Sequence, residues 1–215
     1  FTAKFGDAVR KMTLGKSYDF SADMGSLISE GQLKTVSDHV EDAKAKGAKV
    51  IAGGKARLDI GPLFYEPTVL TDVTSEMECA SNETFGPLVS IYSVSGVEEA
   101  IEKANDTEYG LNASVWAASD AEGERIAARL RSGTVNVNEG YAFAWGSLSA
   151  PMGGMGASGM GRRHGPEGLL KYTEAQTIAT ARVLNLDPPF GMPNALWQKS
   201  LLPIVQTVMK LPGRT

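Results

Sequence analysis

Glu83-Thr84-Phe85-Gly86-Pro87, followed by Leu88-Val89-Ser90-Ile91-Tyr92, is the stretch around which the rest of the chain reads. A carboxylate and an aromatic ring stand on a short turn punctuated by Gly86 and Pro87, and a β-rich run then carries the chain inside. On such a turn the carboxylate is suited to accept hydrogen bonds from a sugar diol, and the ring offers an apolar face to a planar group. The same residues also suit an exposed glutamate ahead of a buried strand, so other stretches must decide.

Downstream of that turn, residues 97–104 read as a helix, 113–117 as a strand and 120–131 as a helix capped by Ser119 or Asp120 and closed at Gly133. Residues 134–137 form a nearly continuous apolar strand. Upstream, residues 2–12 read as an amphipathic helix with Phe5, Val9 and Met12 on one side. Ser29 is the N-cap of a helix that keeps Leu33, Val36, Val40 and Ala43 at helical spacing until Gly47. Residues 49–52 are a short strand. Pro67 restricts the extended segment 64–70 to an edge or a broken strand. Val- and Ile-rich strands alternating with helices predict an α/β fold with a parallel sheet flanked by helices on both faces.

The length of 215 residues with 42% hydrophobic content provides a sizeable core. With 25 acidic against 21 basic residues the net charge is −4, and no basic stripe is interleaved with aromatics, so nucleic acid is not an expected partner. The lone Cys79 leaves no internal disulfide and suits a reducing cytoplasm, and the isolated His39 and His164 give no metal-ligand spacing. The chain opens at Phe1 without Met, inside a helix and with no signal peptide, which reads as the interior of a longer polypeptide.

Residues 138–165 change character. Tyr141, Phe143 and Trp145 precede two serines, a Pro-Met-Gly-Gly turn and glycine at nearly every second or third position. Aromatic walls, a few hydroxyls and close backbone approach suit a pocket, while the alternative places the aromatics in the core. Beyond, residues 166–171 read as a short helix and 176–183 as a β-prone strand. Residues 194–211 place Trp197, Leu201, Val205 and Val208 on one helical face, with Pro203 as an interruption. That segment is too short and polar to span a bilayer, and packing on the body or on a neighbouring subunit suits it better than a membrane surface.

Two features invite the wrong assignment. Gly154-Met155-Gly156-Ala157-Ser158-Gly159 has the Gly-x-Gly-x-x-Gly spacing of dinucleotide sites, but no strand precedes it and Arg162-Arg163 stand where the helix should be under way. Cys79 is the only thiol, yet Glu76 and Glu78 beside it disfavour a thiolate, so it reads as a packing residue.

Together, Glu83 to Pro87, Phe64-Tyr65-Glu66-Pro67-Thr68-Val69-Leu70, Ala104-Asn105-Asp106-Thr107-Glu108-Tyr109-Gly110-Leu111, Gly133 to Asn138, Pro151-Met152-Gly153-Gly154 and Ser158-Gly159-Met160-Gly161-Arg162 resemble the C-terminal half of an aldehyde dehydrogenase. The resemblance runs in order from residue 1 to about residue 183. The loop 138–147 and the tail 196–203 resemble the bacterial branch that oxidises succinate semialdehyde with NADP.

The resemblance implies a cofactor, NADP or NAD, whose nicotinamide ribose hydroxyls meet Glu83 and whose nicotinamide lies beside Phe85. It implies a small aldehyde substrate in a pocket formed by Phe143, Trp145, Ser147, Ser149 and Met152, where Ser147 or Ser149 holds a substrate carboxylate. Residues 1–157 would be an incomplete catalytic domain, 158–174 a returning helix, 175–183 an oligomerisation strand joining a homodimer or homotetramer, and 184–215 a tail with an amphipathic helix. Met152 stands where many members have Phe, Gly156 replaces a common Lys, and Arg163 replaces a Glu.

The family's mechanism uses a cysteine thiolate, hydride transfer to the nicotinamide and a glutamate that activates water. In the resemblance the nucleophile, that glutamate and the dinucleotide fold lie upstream, so this chain carries no catalytic residue and no metal and is expected to be inactive alone. The alternative is a non-enzymatic module that self-associates through the edge strand 176–183.

Overall fold

Ser29 starts the helix on which the first part of the molecule is assembled. Its Oγ accepts a hydrogen bond from the Gln32 N–H at 3.2 Å, a cap that stabilises a helix by about 1 kcal/mol, and α2 (Glu30–Ala45) runs from there. Val36, His39, Val40 and Ala43 recur at helical spacing and form its buried face. Beneath that face lies a sheet of β1 (Lys49–Ala52), β2 (Thr68–Thr71) and β3 (Leu88–Ile91), in that order. Ala43 packs with Leu70, Val73 and Met77, and Val36 and Val40 pack with Tyr65, while Leu88 touches both clusters. Full burial of each such aliphatic side chain stabilises by about 1.5–3 kcal/mol.

The computed structural model describes residues 1–180 and 187–210, and the chain divides into the units Phe1–Leu169 and Leu170–Thr215. The first unit also holds α1 (Thr2–Arg10), α3 (Glu78–Ser81), α4 (Val97–Asn105), β4 (Asn112–Val115), α5 (Asp120–Ala127), β5 (Thr134–Val137) and α6 (Ala142–Gly146). The strands β4 and β5 pair in parallel as a second sheet. After α7 (Gly165–Leu170), the described part of the second unit carries a short 3₁₀ turn, Pro189–Gly191, and α8 (Asn194–Met209).

The α/β class agrees with the sequence reading, and the arrangement of the sheet corrects it. Instead of one parallel sheet there are two small ones, and β1 runs antiparallel to β2 while β2 and β3 are parallel. The 64–70 segment is also more central than expected. Tyr65 bridges to Ala56, Pro67 breaks the run, and β2 begins at Thr68 between two neighbours. Proline's missing N–H thus falls ahead of the ladder, where it costs no strand bond. In β5 the buried position is Asn136, whose amide donates to Asn112 Oδ1 at 3.0 Å and to the Ala113 carbonyl at 3.1 Å.

Of two expectations for the end of the chain, one lies partly outside the described residues and the other comes out differently. Residues 176–180 carry no strand, and 181–183 lie outside the described residues, so the assembly strand has no counterpart among those described. In contrast, α8 continues through Pro203 rather than stopping there. Proline removes one N–H donor inside the helix, and the Thr207 hydroxyl donates to the Pro203 carbonyl at 2.8 Å one turn on. Leu211 lies outside the described residues. No described helix is long and apolar enough to cross a membrane.

Candidate cofactor turn and substrate loop

The Glu83–Pro87 turn leaves α3, crosses the face of α2 and enters β3. It is held at four points. Gln32 Nε2 donates to the carbonyls of Thr84 and Phe85 at 2.6 and 3.0 Å. Because carbonyl oxygens only accept, the amide nitrogen of Gln32 must be the atom that faces them. His39 Nδ1 shares a 3.0 Å hydrogen bond with Thr84 Oγ1, and His39 is only 9% exposed. Gly86 lies directly on Val36, so close that an added Cβ would stand 2.3 Å from Val36 Cγ2. At the exit, the Thr68 N–H donates to the Pro87 carbonyl at 2.7 Å, which ties the turn to β2.

What the turn presents is less constrained than its backbone. Glu83 is exposed, and among the described residues no hydrogen bond or ion pair engages its carboxylate. Phe85 is 76% exposed and sits at φ 48°, a left-handed conformation that costs a bulky side chain about 1 kcal/mol or more. An exposed ring on a strained, clamped backbone beside a free carboxylate is a fixed presentation of two complementary groups. Neither Gln32 nor His39 stood out in the sequence as a site residue. The available signal was their spacing, since Gln32, Val36 and His39 lie on one face of the helix that Ser29 caps.

The expected pocket residues follow β5 in the other sheet. The Glu139 carboxylate accepts from the Ala142 N–H at 3.2 Å and the Ser114 hydroxyl donates to the Gly140 carbonyl at 2.8 Å, so the entry to α6 is pinned. Phe143 and Trp145 on α6 are 81% and 63% exposed. Ser147 is half-buried and Ser149 exposed, and neither hydroxyl is hydrogen-bonded among the described residues. Met152 differs from the other four. It is buried, exchanges backbone hydrogen bonds of 2.6 and 2.7 Å with Arg163, and its sulfur meets the Tyr141 hydroxyl and an Arg163 nitrogen. The structure thus places Phe143, Trp145, Ser147 and Ser149 on one exposed segment and puts Met152 beneath it. No hydrogen bond among the described residues joins this segment to the Glu83–Pro87 turn.

The two lures behave as packing features. In the glycine loop the N–H groups of Met155 and Ala157 donate to the Gly110 and Glu108 carbonyls at 2.9 Å each, and Gly156–Ser158 is a 3₁₀ turn with no sheet strand before it. Those two amides are therefore committed to the 108–110 turn, and the Ser158 N–H bonds back to the Met155 carbonyl within the loop. Cys79 packs against the Leu70 and Met77 cluster, and burial pushes its thiol up, away from the thiolate a nucleophile needs. An open cavity of about 600 Å³ at the carboxyl ends of β2 and β3 is lined by Asp72, Tyr92 and Lys103 among others, and includes none of the expected site residues. The described residues form no cluster of three or more metal-ligand side chains.

Residues 1–178 match the description "Aldehyde dehydrogenase family". This chain belongs to the aldehyde dehydrogenase family. Among solved structures similar to it, the succinate-semialdehyde dehydrogenase of Burkholderia pseudomallei is 39% identical with a TM-score of 0.73, over 80% of this chain and 35% of that one. The betaine aldehyde dehydrogenase of Staphylococcus aureus in complex with NAD+ is 37% identical with a TM-score of 0.71, over 79% of this chain and 34% of that one. A Mycobacterium ulcerans protein whose name assigns it provisionally to succinate-semialdehyde dehydrogenase with NADP(+) is 86% identical over 214 residues. The aldehyde dehydrogenase chain described here spans 41% of that relative's length.

Proposed function

We propose that this chain is part of an oxidoreductase that converts an aldehyde, foremost succinate semialdehyde, to its acid with NADP+ or NAD+. The observation that carries the reading is the Glu83–Phe85 presentation: an exposed carboxylate without a partner among the described residues and an exposed ring, on a backbone clamped from α2. Those groups fit a ribose diol and a planar base. The names of the relatives support the aldehyde and the cofactor, and the 41% of a relative's length that the chain spans supports a longer parent polypeptide.

On this reading Glu83 accepts hydrogen bonds from the nicotinamide ribose hydroxyls and Phe85 flanks the ring, which fixes the cofactor's orientation. When bound, the cofactor accepts hydride from the substrate carbon. Phe143 and Trp145 exclude water around the aldehyde, and the free hydroxyl of Ser147 or Ser149 donates to the substrate's distant carboxylate. Met152 supports this segment from below rather than touching substrate. The nucleophile and the water-activating base come from outside these 215 residues, because the one thiol here packs against the core and burial pushes its pKa up, away from nucleophile chemistry.

Residues 1–157 then serve as the remainder of the catalytic domain and 158–174 as the returning segment. Residues 175–183 join subunits into a homodimer or homotetramer once a partner strand pairs with them, and 184–215 form the tail. The lone cysteine is in keeping with residence in the cytoplasm.

The test is an assay of succinate semialdehyde oxidation with NADP+ on two samples: the 215 residues alone and the complete polypeptide that contains them. The complete polypeptide should turn over and the isolated chain should not. Turnover by the isolated chain, or none by the complete polypeptide with any aldehyde and either cofactor, contradicts the reading.

A further inference from the structure

The geometry points to Gln32 and His39 as positioning residues for the nicotinamide cofactor: through Thr84 and the Phe85 carbonyl they lock the one backbone conformation in which Glu83 and Phe85 face outward together. This rests on the reading of Glu83 and Phe85 as cofactor contacts and adds two residues that touch neither the ribose nor the ring in that reading.

The turn cannot hold itself in this conformation. Phe85 occupies the left-handed region at φ 48°, which an aromatic residue leaves when nothing opposes it, and no helix or strand includes residues 83–87. Gln32 spans the carbonyls on both sides of the strained Phe85 Cα, so flipping the Thr84–Phe85 peptide would break one of its bonds and flipping the Phe85–Gly86 peptide the other. His39 fixes the same segment from the side chain, through Thr84 Oγ1. Gly86 on Val36 excludes a retreat toward the helix, since even a methyl group would overlap there. Gln32, Val36 and His39 form one stripe of α2, and Val36 at its middle is fully buried, so the clamp is mounted on a rigid support. A pre-set turn binds without first being ordered, which raises affinity for the cofactor and not for the aldehyde.

The test uses the complete polypeptide and measures NADP+ dissociation constants by fluorescence titration, with KM for the aldehyde measured in parallel. Gln32→Leu keeps volume and removes the donor. Thr84→Val removes the hydroxyl that Thr84→Ser retains, and His39→Asn keeps a polar atom near the Nδ1 position. Gln32→Leu and Thr84→Val are each expected to weaken NADP+ about tenfold, the loss of a part-buried hydrogen bond with its partner left unpaired. Thr84→Ser and His39→Asn should stay within about threefold of the parent, a rescue that lost packing alone would not give, and KM for the aldehyde should not move. Glu83→Gln separates the two levels. If it weakens NADP+ while Gln32→Leu and Thr84→Val bind like the parent, the positioning role is overturned and the cofactor reading stands. If Glu83→Gln binds like the parent, the reading beneath the proposal fails. Should Thr84→Val alone bind like the parent, the part assigned to His39 is overturned.

Discussion

The Glu83–Pro87 turn and the 142–152 segment both hold aromatic rings out to solvent, yet they are built in opposite ways. The turn is gripped at its centre, by Gln32 on the two carbonyls around Phe85 and by His39 on Thr84. The segment is gripped at its ends, by Glu139 and Ser114 before α6 and by the Met152–Arg163 pair after it, while Phe143 and Trp145 project from the middle. A group that must meet an invariant cofactor profits from a fixed backbone. A wall that must suit one aldehyde among many is free to vary between fixed ends.

The sharpest way to break this contrast is to attack the far anchor of the segment. Gly133 lies so close to Gly153 that an added Cβ would stand 1.6 Å from its carbonyl oxygen, and both partners are backbone. Gly133→Ala should therefore cost about 3 kcal/mol or more in urea unfolding of the complete polypeptide. A loss under about 1 kcal/mol would mean that the 151–154 stretch is movable at its anchor too. Removing the seat of the turn comes next. Val36 is fully buried, and Val36→Ala should lower stability by about 1–3 kcal/mol while also weakening NADP+ binding. Lost stability with unchanged binding would separate core from turn.

Acid gives a graded version of the same attack. The Asp42 carboxylate receives the Lys46 ammonium and the Glu78 N–H at 2.7 and 2.9 Å, contacts that lower its pKa below 3.8 and tie α2 to α3 just ahead of the turn. A lowered carboxyl stabilises the fold fully above its unfolded value and loses that contribution as pH falls through the folded one. Asp42→Asn should therefore flatten the decline in stability below about pH 4, and an unchanged slope would remove the tie from the account. The smallest stability effect is expected at the segment's centre. Phe143→Ser and Trp145→Ser should change unfolding free energy by no more than about 0.5 kcal/mol while raising KM for the aldehyde. A large stability loss would place those rings in a core that the exposure does not indicate.

Much of this architecture can be read in the chain itself, and the exceptions share a physical cause. Ser29 as a cap, β1 over Lys49–Ala52 and β5 over Thr134–Val137 follow from local signals and appear where expected. The turn's outward carboxylate and ring are likewise local features. Long-range pairing is what local signals omit. Pro67 marks a break without revealing that Thr68 then enters the middle of a sheet, and alternating helices and strands do not disclose that four-residue strands settle into two sheets with one antiparallel pair. The α6 helix is five residues flanked by Tyr141 and Ser147, too short for periodicity to emerge. His39 is set aside when histidines are counted for metal spacing, because its role depends on Thr84, 45 residues away. Met152 reads as a wall by its place in a motif and lies buried because Arg163 folds back to pair with it.

The central claim is that one element meets the cofactor and the other the aldehyde. It is tested most directly by a kinetic split in the complete polypeptide, with KM for NADP+ and for succinate semialdehyde measured on Glu83→Gln and on a Ser147→Ala, Ser149→Ala double variant. Glu83→Gln should raise KM for NADP+ roughly tenfold or more and leave the aldehyde's unchanged, since a charged acceptor is lost from the diol, and the double serine variant should do the reverse. If both variants raise the same constant, or if Glu83→Gln leaves NADP+ untouched, the division of labour between the clamped turn and the end-pinned segment is contradicted.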